Sequence, residues 1–176
     1  HLLDAGNELY VYNRTKAKTD SLVARGATYC ATPQEIAEVT DIVFSIVGYP
    51  KDVREIYFGE KGVFKADVHD TFLVDMTTSE PALAQEIYQA AKEAGASALD
   101  APVSGGDIGA QNASLTIMVG GEEEAYEHLL PYFETIGKTI TRQGAAGAGQ
   151  HTKMANQIAI AGTMTAMTEL MVYADK

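Results

Sequence analysis

Short apolar runs and longer amphipathic stretches alternate along the chain at the spacing of β-α-β units. The runs at 41–47 and 71–75 are almost continuously apolar, which is typical of strands buried on both faces of a parallel sheet. The pattern therefore predicts an α/β fold with a doubly wound, Rossmann-type sheet and helices on each face. Strands are expected at 8–12, 27–30, 41–47, 71–75, 97–100, 115–119 and 138–140.

Helix signals fall between these runs. Thr32, Pro33 and Glu35 form a capping box with proline at the first helical position. A long helix is expected from Gln150 onward, and we expect the apolar stripe along it to belong to a core. The stripe consists of Met154, Ile158, Met164, Met167 and Met171.

Both ends of the sequence have a helical pattern. Residues 1–6 are typical of the last turn of a helix closed by a glycine C-cap. Residues 171–176 continue a helical pattern without a stop signal. We therefore expect the first strand of the sheet and its turn to precede this sequence, and a further region to follow it.

The composition argues against several classes of function. Among 176 residues, 24 are acidic and 13 basic, and the formal net charge is −11, which does not suit a nucleic-acid-binding face. No apolar run reaches the ~18 residues of a membrane span. Cys30 is the single cysteine, so no internal disulfide can form and a reducing compartment such as the cytoplasm is expected. The acidic run 122–124 has no histidine at ligand spacing, which favours a solvated helix start over a metal site.

A first candidate site is the stretch D-A-P-V-S-G-G at 100–106. Pro102 has no backbone N–H, so regular strand pairing should end near it. Ser104 offers a hydroxyl, and Gly105 and Gly106 offer backbone N–H groups that no Cβ shields. The stretch predicts a loop against which a small anion such as a carboxylate can lie.

A second candidate site is the glycine-rich stretch 144–157, which opens the long helix. Lys153 lies three residues before Asn156 and four before Gln157, so the three side chains share one helical face. Taken together, the two stretches resemble the β-hydroxyacid dehydrogenase family, the group that contains 3-hydroxyisobutyrate dehydrogenase and tartronate semialdehyde reductase. The resemblance runs along the whole chain.

The resemblance implies a site and a reaction. Lys153 matches the family's catalytic acid/base, while Ser104, Gly105 and Gly106 match the groups that hold the substrate carboxylate. Some members place the substrate-orienting asparagine four residues after the lysine, where this chain has Gln157, so either Asn156 or Gln157 can fill that role. The implied reaction interconverts a small 3-hydroxy acid and its semialdehyde by hydride transfer, in a protein expected to form a homo-oligomer. Metal ligands are not expected.

The resemblance also implies the domain organisation. Residues 1–146 correspond to a dinucleotide-binding domain that lacks its first strand. Residues 147–176 correspond to the start of a long interdomain helix and of an all-helical domain, whose far part this sequence does not include. Two alternatives remain: a catalytically silent dinucleotide-binding module, and a reductase of short aldehydes or imines from the same superfamily. Oxidation of 6-phosphogluconate is less favoured, because the sequence has no basic cluster to bind a substrate phosphate.

The cofactor expected from this fold is a nicotinamide dinucleotide. The glycine-rich pyrophosphate turn would precede His1. The residues after the second expected strand are Asn13, Arg14 and Thr15, and an arginine there suits the 2′-phosphate of NADP, with no carboxylate expected beside it. NADP is therefore favoured, with NAD as the alternative. The other expected contacts to the cofactor are Val47, Gly48 and, by resemblance to the family's D-M-S-S turn, Thr78.

Overall fold

The computed structural model describes residues 1–175 of the chain and has the alternating strands and helices expected from the sequence. The strands are β1 (Tyr10–Val11), β2 (Thr28–Tyr29), β3 (Ile42–Ser45), β4 (Phe72–Asp75), β5 (Ser97–Asp100), β6 (Val103–Ser104), β7 (Leu115–Gly120) and β8 (Gly137–Gly144). The α-helices are α1 (Asp20–Val23), α2 (Pro33–Ala37), α3 (Pro50–Phe58), α4 (Pro81–Glu93), α5 (Gly106–Gln111), α6 (Glu123–Glu134) and α7 (Ala148–Ala174). Two 3₁₀ turns lie at Lys16–Thr19 and Val63–Lys65.

The strands form two sheets. The larger has the order β3-β4-β5-β7-β6, with β8 paired to β7, and β1 and β2 form a separate parallel pair. β3, β4 and β5 are parallel, whereas β7 runs antiparallel to β5. The predicted Rossmann-type fold is confirmed, but the sheet is mixed rather than wholly parallel.

Both faces of the larger sheet are covered, as the apolar runs predicted. Neighbouring strand residues point to opposite faces. Leu73 and Ala98 pack into one core cluster, with side chains of α3 and α4. Val74 and Leu99 pack into the other, with side chains of α6. The buried strands are therefore fixed in register between two hydrophobic cores.

The capping box at α2 is confirmed with one change. The Thr32 side chain accepts a hydrogen bond from the Glu35 backbone N–H at 3.1 Å. The Glu35 carboxylate accepts from the N–H of Ala31 rather than from that of Thr32. Other boundaries differ more: the strand expected at 8–12 is limited to Tyr10–Val11, and the one expected at 138–140 extends over Gly137–Gly144.

The long helix α7 differs from its prediction. Its buried residues are Gly149, Gln150 and Lys153, all within its first two turns. The methionine stripe is not part of a core among the described residues, because α7 continues beyond the sheet there. Its members Met154, Ile158, Met164, Met167 and Met171 are between 46% and 73% exposed. Within residues 1–175, no helix is both long enough and apolar enough to cross a membrane.

Candidate active site

The structure brings the two sequence motifs into contact at Lys153 and Ser104. Lys153 Nζ donates a hydrogen bond to Ser104 Oγ at 2.8 Å. Asn156 Nδ2 lies 3.2 Å from the same oxygen. Gln157 contacts this group only through Asn156, whose Nδ2 is 3.2 Å from Gln157 Oε1. Three of the predicted side chains therefore converge on one point, and Gln157 lies next to them.

The Asp100 carboxylate holds the start of α7 at the end of β5. Asp100 Oδ1 accepts a hydrogen bond from the backbone N–H of Gly147 at 2.7 Å, and Oδ2 accepts one from that of Gln150 at 2.8 Å. These N–H groups belong to the first turn of a helix, which has no intrahelical partner for them. Burial raises the pKa of Asp100, and the hydrogen bonds from these N–H groups oppose that shift.

The Gln150 side chain fixes α7 to a second strand end. It is fully buried. Its Nε2 donates to the carbonyl oxygen of Thr77 at 2.7 Å, and its Oε1 accepts from the N–H of Ser79 at 2.8 Å. A buried amide with both ends paired is held in one orientation. Asp100 and Gln150 together determine where the next turn of α7, with Lys153, lies.

Two glycines allow this close approach of helix to sheet. A Cβ at Gly149 would overlap the carbonyl oxygens of Met118 and Asp100. A Cβ at Gly120 would overlap the Asp100 carboxylate and lie 2.8 Å from the backbone nitrogen of Gly149. A side chain at either position would push α7 away from the strands.

Lys153 lies in a cleft of about 500 Å³ and is itself only 7% exposed. Burial lowers the pKa of its amine, because a low-dielectric environment disfavours the charged form. The cleft combines this amine with mostly apolar walls. Its lining is Ile46, Val103, Ser104, Gly105, Gly106, Asp107, Ala110, Leu115, Lys153 and Ile160. A larger cleft of about 600 Å³ lies between the two sheets, and neither Lys153 nor Ser104 lines it.

The loop after Ser104 requires glycine. Gly105 has φ +131° and Gly106 has φ +61°, and side chains are disfavoured at both values. Gly106 begins the short helix α5. Gly105 and Gly106 follow Ser104 directly, and all three residues line the Lys153 cleft.

A buried polar network lies at the ends of the parallel strands. Ser45, Asp75 and Asp100 are register partners across β3, β4 and β5. Ser45 Oγ donates to Asp75 Oδ1 at 3.1 Å and is 3.0 Å from the Tyr57 hydroxyl oxygen. Burial raises the pKa of Asp75 to about 6 and also raises the pKa of Tyr57.

Other residues expected to contact the cofactor lie at these strand ends, with Val47 and Gly48 expected on the adenosine side and Thr78 on the nicotinamide side. Thr77 Oγ1 accepts a hydrogen bond from the N–H of Val47 at 3.0 Å, which joins the turns after β3 and β4. Gly48 and Thr78 are exposed. Neither Thr77 nor Thr78 caps α4, whose N-cap position is Glu80. Thr77 is therefore a structural link, and the Thr78 side chain is accessible.

The remaining residues expected on the adenosine side follow β1. Asn13 Oδ1 accepts from the N–H of Thr15 at 2.9 Å and closes a local turn. Arg14 projects into solvent, with 86% of its side chain exposed. The expectation that no carboxylate lies beside it is wrong, because α3 brings Asp52 Oδ1 to 3.5 Å from Arg14 Nη1. Asp52 is distant in sequence, so the local motif gave no sign of it.

Sequence reasoning missed the groups that position Lys153. Asp100 was recognised only as the first letter of its motif, and the roles of Gln150 and Thr77 were not recognised. The sequence did contain one signal. Asp100 ends a buried strand and Gln150 lies in the first turn of a helix that follows a glycine-rich loop, and buried polar side chains at such positions need hydrogen-bond partners. Their pairing requires the fold, since they are 50 residues apart.

Comparison with known proteins assigns the family. A family described as the NAD binding domain of 6-phosphogluconate dehydrogenase matches residues 1–144. The chain belongs to this family. Its sheet domain is therefore an NAD-binding domain, and the cleft at Lys153 lies where α7 meets the strand ends.

Named relatives confirm the resemblance to β-hydroxyacid dehydrogenases. The chain is 51% identical over its full length to an uncharacterized oxidoreductase, YkwC, of Bacillus subtilis, and 39% identical to 2-hydroxy-3-oxopropionate reductase of Escherichia coli. It spans 61% and 60% of those proteins. Among solved structures, that of 3-hydroxyisobutyrate dehydrogenase of Mycobacterium tuberculosis with L-serine superposes with a TM-score of 0.91 and is 31% identical in sequence. The match covers 99% of this chain and 59% of the chain of that dehydrogenase.

Proposed function

We propose that the protein is an NADP(H)-preferring oxidoreductase that interconverts a small 3-hydroxy acid and its semialdehyde by hydride transfer. The observation that carries this proposal is the 2.8 Å contact between Lys153 Nζ and Ser104 Oγ in a cleft at the end of the sheet. This contact supports the proposal because it brings the proposed acid/base next to the proposed carboxylate-binding hydroxyl. The family supplies a nicotinamide cofactor for such a domain.

Lys153 acts as the acid/base in this proposal. Oxidation of an alcohol removes a hydride from carbon and a proton from the hydroxyl oxygen, and a nicotinamide cofactor, when bound, would supply the acceptor for the hydride. The neutral amine of Lys153 takes the hydroxyl proton, and in the reverse direction the protonated amine returns it to the carbonyl oxygen. The lowered pKa of Lys153 brings both protonation states closer to neutral pH.

The remaining groups orient the substrate. In this proposal the Ser104 hydroxyl and the N–H groups of Gly105 and Gly106 bind the substrate carboxylate. They are hydrogen-bond donors, and a carboxylate accepts charge-assisted hydrogen bonds from such groups. Asn156 is the better placed of the two amides, because its Nδ2 is already 3.2 Å from Ser104 Oγ. Gln157 then supports Asn156 through the contact between their amides.

The surface at the strand ends is suited to the cofactor. Ile46, Gly48 and Tyr49, after β3, and Thr78, after β4, are all exposed. The apolar surface of Ile46 and Tyr49, together with the exposed hydroxyl residue Thr78, fits a dinucleotide laid across the carboxyl ends of parallel strands.

The preference for NADP(H) is proposed from Arg14. Its guanidinium follows β1, the position where this fold contacts the adenosine ribose, and it is exposed to a ligand. A planar guanidinium can bind a phosphate through two hydrogen bonds. Relatives named for 2-hydroxy-3-oxopropionate and for 3-hydroxyisobutyrate support a small carboxylate as the substrate.

An assay of the full-length protein tests this function. Oxidation of a panel of short 3-hydroxy acids, and reduction of the matching semialdehydes, is followed by nicotinamide absorbance with each cofactor. The proposal predicts turnover of at least one 3-hydroxy acid, faster with NADP than with NAD. Turnover only of simple aldehydes or imines lacking a carboxylate would contradict it, as would cofactor binding without any turnover.

A further inference from the structure

An acidic side chain lies beside the arginine assigned to the adenosine end of the cofactor. Asp52 Oδ1 is 3.5 Å from Arg14 Nη1. Its second oxygen faces the turn after β3, since a Cβ added to Gly48 would lie 3.4 Å from Asp52 Oδ2. The carboxylate therefore lies between the two segments that should border the adenosine ribose.

The two partners of this ion pair are held differently. The Asp52 side chain is 20% exposed and the Arg14 side chain 86% exposed. Asp52 lies in the first turn of α3, where the helix dipole favours a negative side chain. Arg14 follows a strand of two residues, and an exposed ion pair contributes little to stability. Arg14 can therefore turn towards a ligand while the carboxylate stays in place.

A fixed carboxylate at this position distinguishes the two forms of the ribose. It can accept a hydrogen bond from the 2′-hydroxyl of NAD(H), whereas it repels the 2′-phosphate of NADP(H). The acid that performs this role in NAD-binding domains usually follows the second strand of the fold. In this chain that position holds Arg14, and the acid comes from α3.

We propose that Asp52 is a determinant of cofactor specificity that opposes Arg14. Its charge weakens the attraction of the site for the 2′-phosphate, and its oxygens supply an acceptor for the 2′-hydroxyl. The proposal rests on the proposed function, because it requires a dinucleotide at the strand ends. Asp52 makes none of the contacts around Lys153, so the effect falls on cofactor binding and not on proton transfer.

The test measures binding of NADPH and NADH to the full-length protein by nicotinamide fluorescence. The variants are Asp52→Asn, Arg14→Ala and the double variant, with Glu134→Gln as a control that removes one negative charge from the exposed end of α6. We expect Asp52→Asn to tighten NADPH binding roughly tenfold and to leave NADH binding unchanged or weaker. The double variant should lose most of that gain, and Glu134→Gln should match the parent.

The possible outcomes distinguish a failure of this inference from a failure of the proposed function. If Asp52→Asn leaves the ratio of the NADPH and NADH dissociation constants unchanged, Asp52 does not determine cofactor specificity. That result would leave the proposed function standing. The same gain in the double variant would show that Arg14 is not the group opposed. Failure of the parent protein to bind either dinucleotide would contradict the proposed function itself, and the inference with it.

Discussion

The Asp100 carboxylate accepts a hydrogen bond from the backbone N–H of Gln150 at 2.8 Å. This contact joins the first residue of the D-A-P-V-S-G-G stretch to the helix that carries Lys153. Ser104 and Lys153 occupy opposite sides of that junction, one on β6 and the other on α7. Their 2.8 Å contact therefore depends on how tightly the start of α7 packs against the strand ends.

Replacing Gly149 with alanine should disrupt this junction. The new Cβ would overlap backbone carbonyl oxygens at the ends of β5 and β7, and we expect a loss of about 1–3 kcal/mol in the free energy of unfolding together with a clear loss of kcat. Denaturant unfolding and steady-state kinetics measure both.

Gly162→Ala is the matched control for that substitution. Gly162 lies in the same helix, and a Cβ there has no neighbour within 4 Å. The Gly162→Ala substitution should stabilise the protein by roughly 0.5–1 kcal/mol, because alanine restricts the unfolded chain and favours the helical conformation. Equal effects of the two substitutions would argue against a tight junction at Gly149.

The buried Asp75 should make stability depend on pH. Its pKa is about 6 in the folded protein against an ordinary value of 3.8, so its proton is bound more tightly in the folded state. Its stabilising contribution is complete below about pH 3.8 and is lost as the pH rises through 6. Asp75→Asn should therefore gain stability relative to the parent between pH 4 and pH 7, by at most about 3 kcal/mol.

Denaturant unfolding of both proteins at several pH values measures this difference. Asp41→Asn, at an exposed position before β3, provides the control for a general effect of charge. A constant difference between Asp75→Asn and the parent from pH 4 to pH 7 would show that Asp75 titrates normally.

Asn156 and Gln157 should differ in their effect on turnover. Asn156 reaches Ser104 directly, whereas Gln157 reaches only Asn156. We expect Asn156→Ala to lower kcat/KM by about tenfold, through the loss of one hydrogen bond that orients the substrate. Gln157→Ala should lower it by less than about threefold. The reverse order of effects would assign the orienting role to Gln157.

The fold class could be predicted from the sequence, because the periodicity of apolar residues and the placement of glycines are local signals. Residues 41–47 and 71–75 read as buried strands and pack between two cores, as their apolar character requires. Lys153 and Asn156 could be placed on one helical face from their spacing alone. Their contact with Ser104 followed from the resemblance to a known family.

The features that were not predicted depend on contacts between distant segments. The methionine stripe, expected in a core, is exposed among the described residues, because periodicity shows that a face is apolar but not which element covers it. Asp52 reaches Arg14 because the fold brings the first turn of α3 near the segment after β1, and no local sequence pattern indicates that approach. The pairing of Asp100 with the first turn of α7 likewise requires the register of β5 and β7.

Lys153→Ala tests the central claim, that the amine beside Ser104 is the acid/base, most directly. The measurement is kcat/KM for the preferred hydroxy acid on the full-length protein, with the dissociation constant of NADPH and the melting temperature measured in parallel. Lys138→Ala, at an exposed position of β8, is the control. The account predicts a loss of at least roughly 100-fold in kcat/KM with NADPH binding unchanged. Turnover near the parent level in a folded Lys153→Ala protein would contradict it.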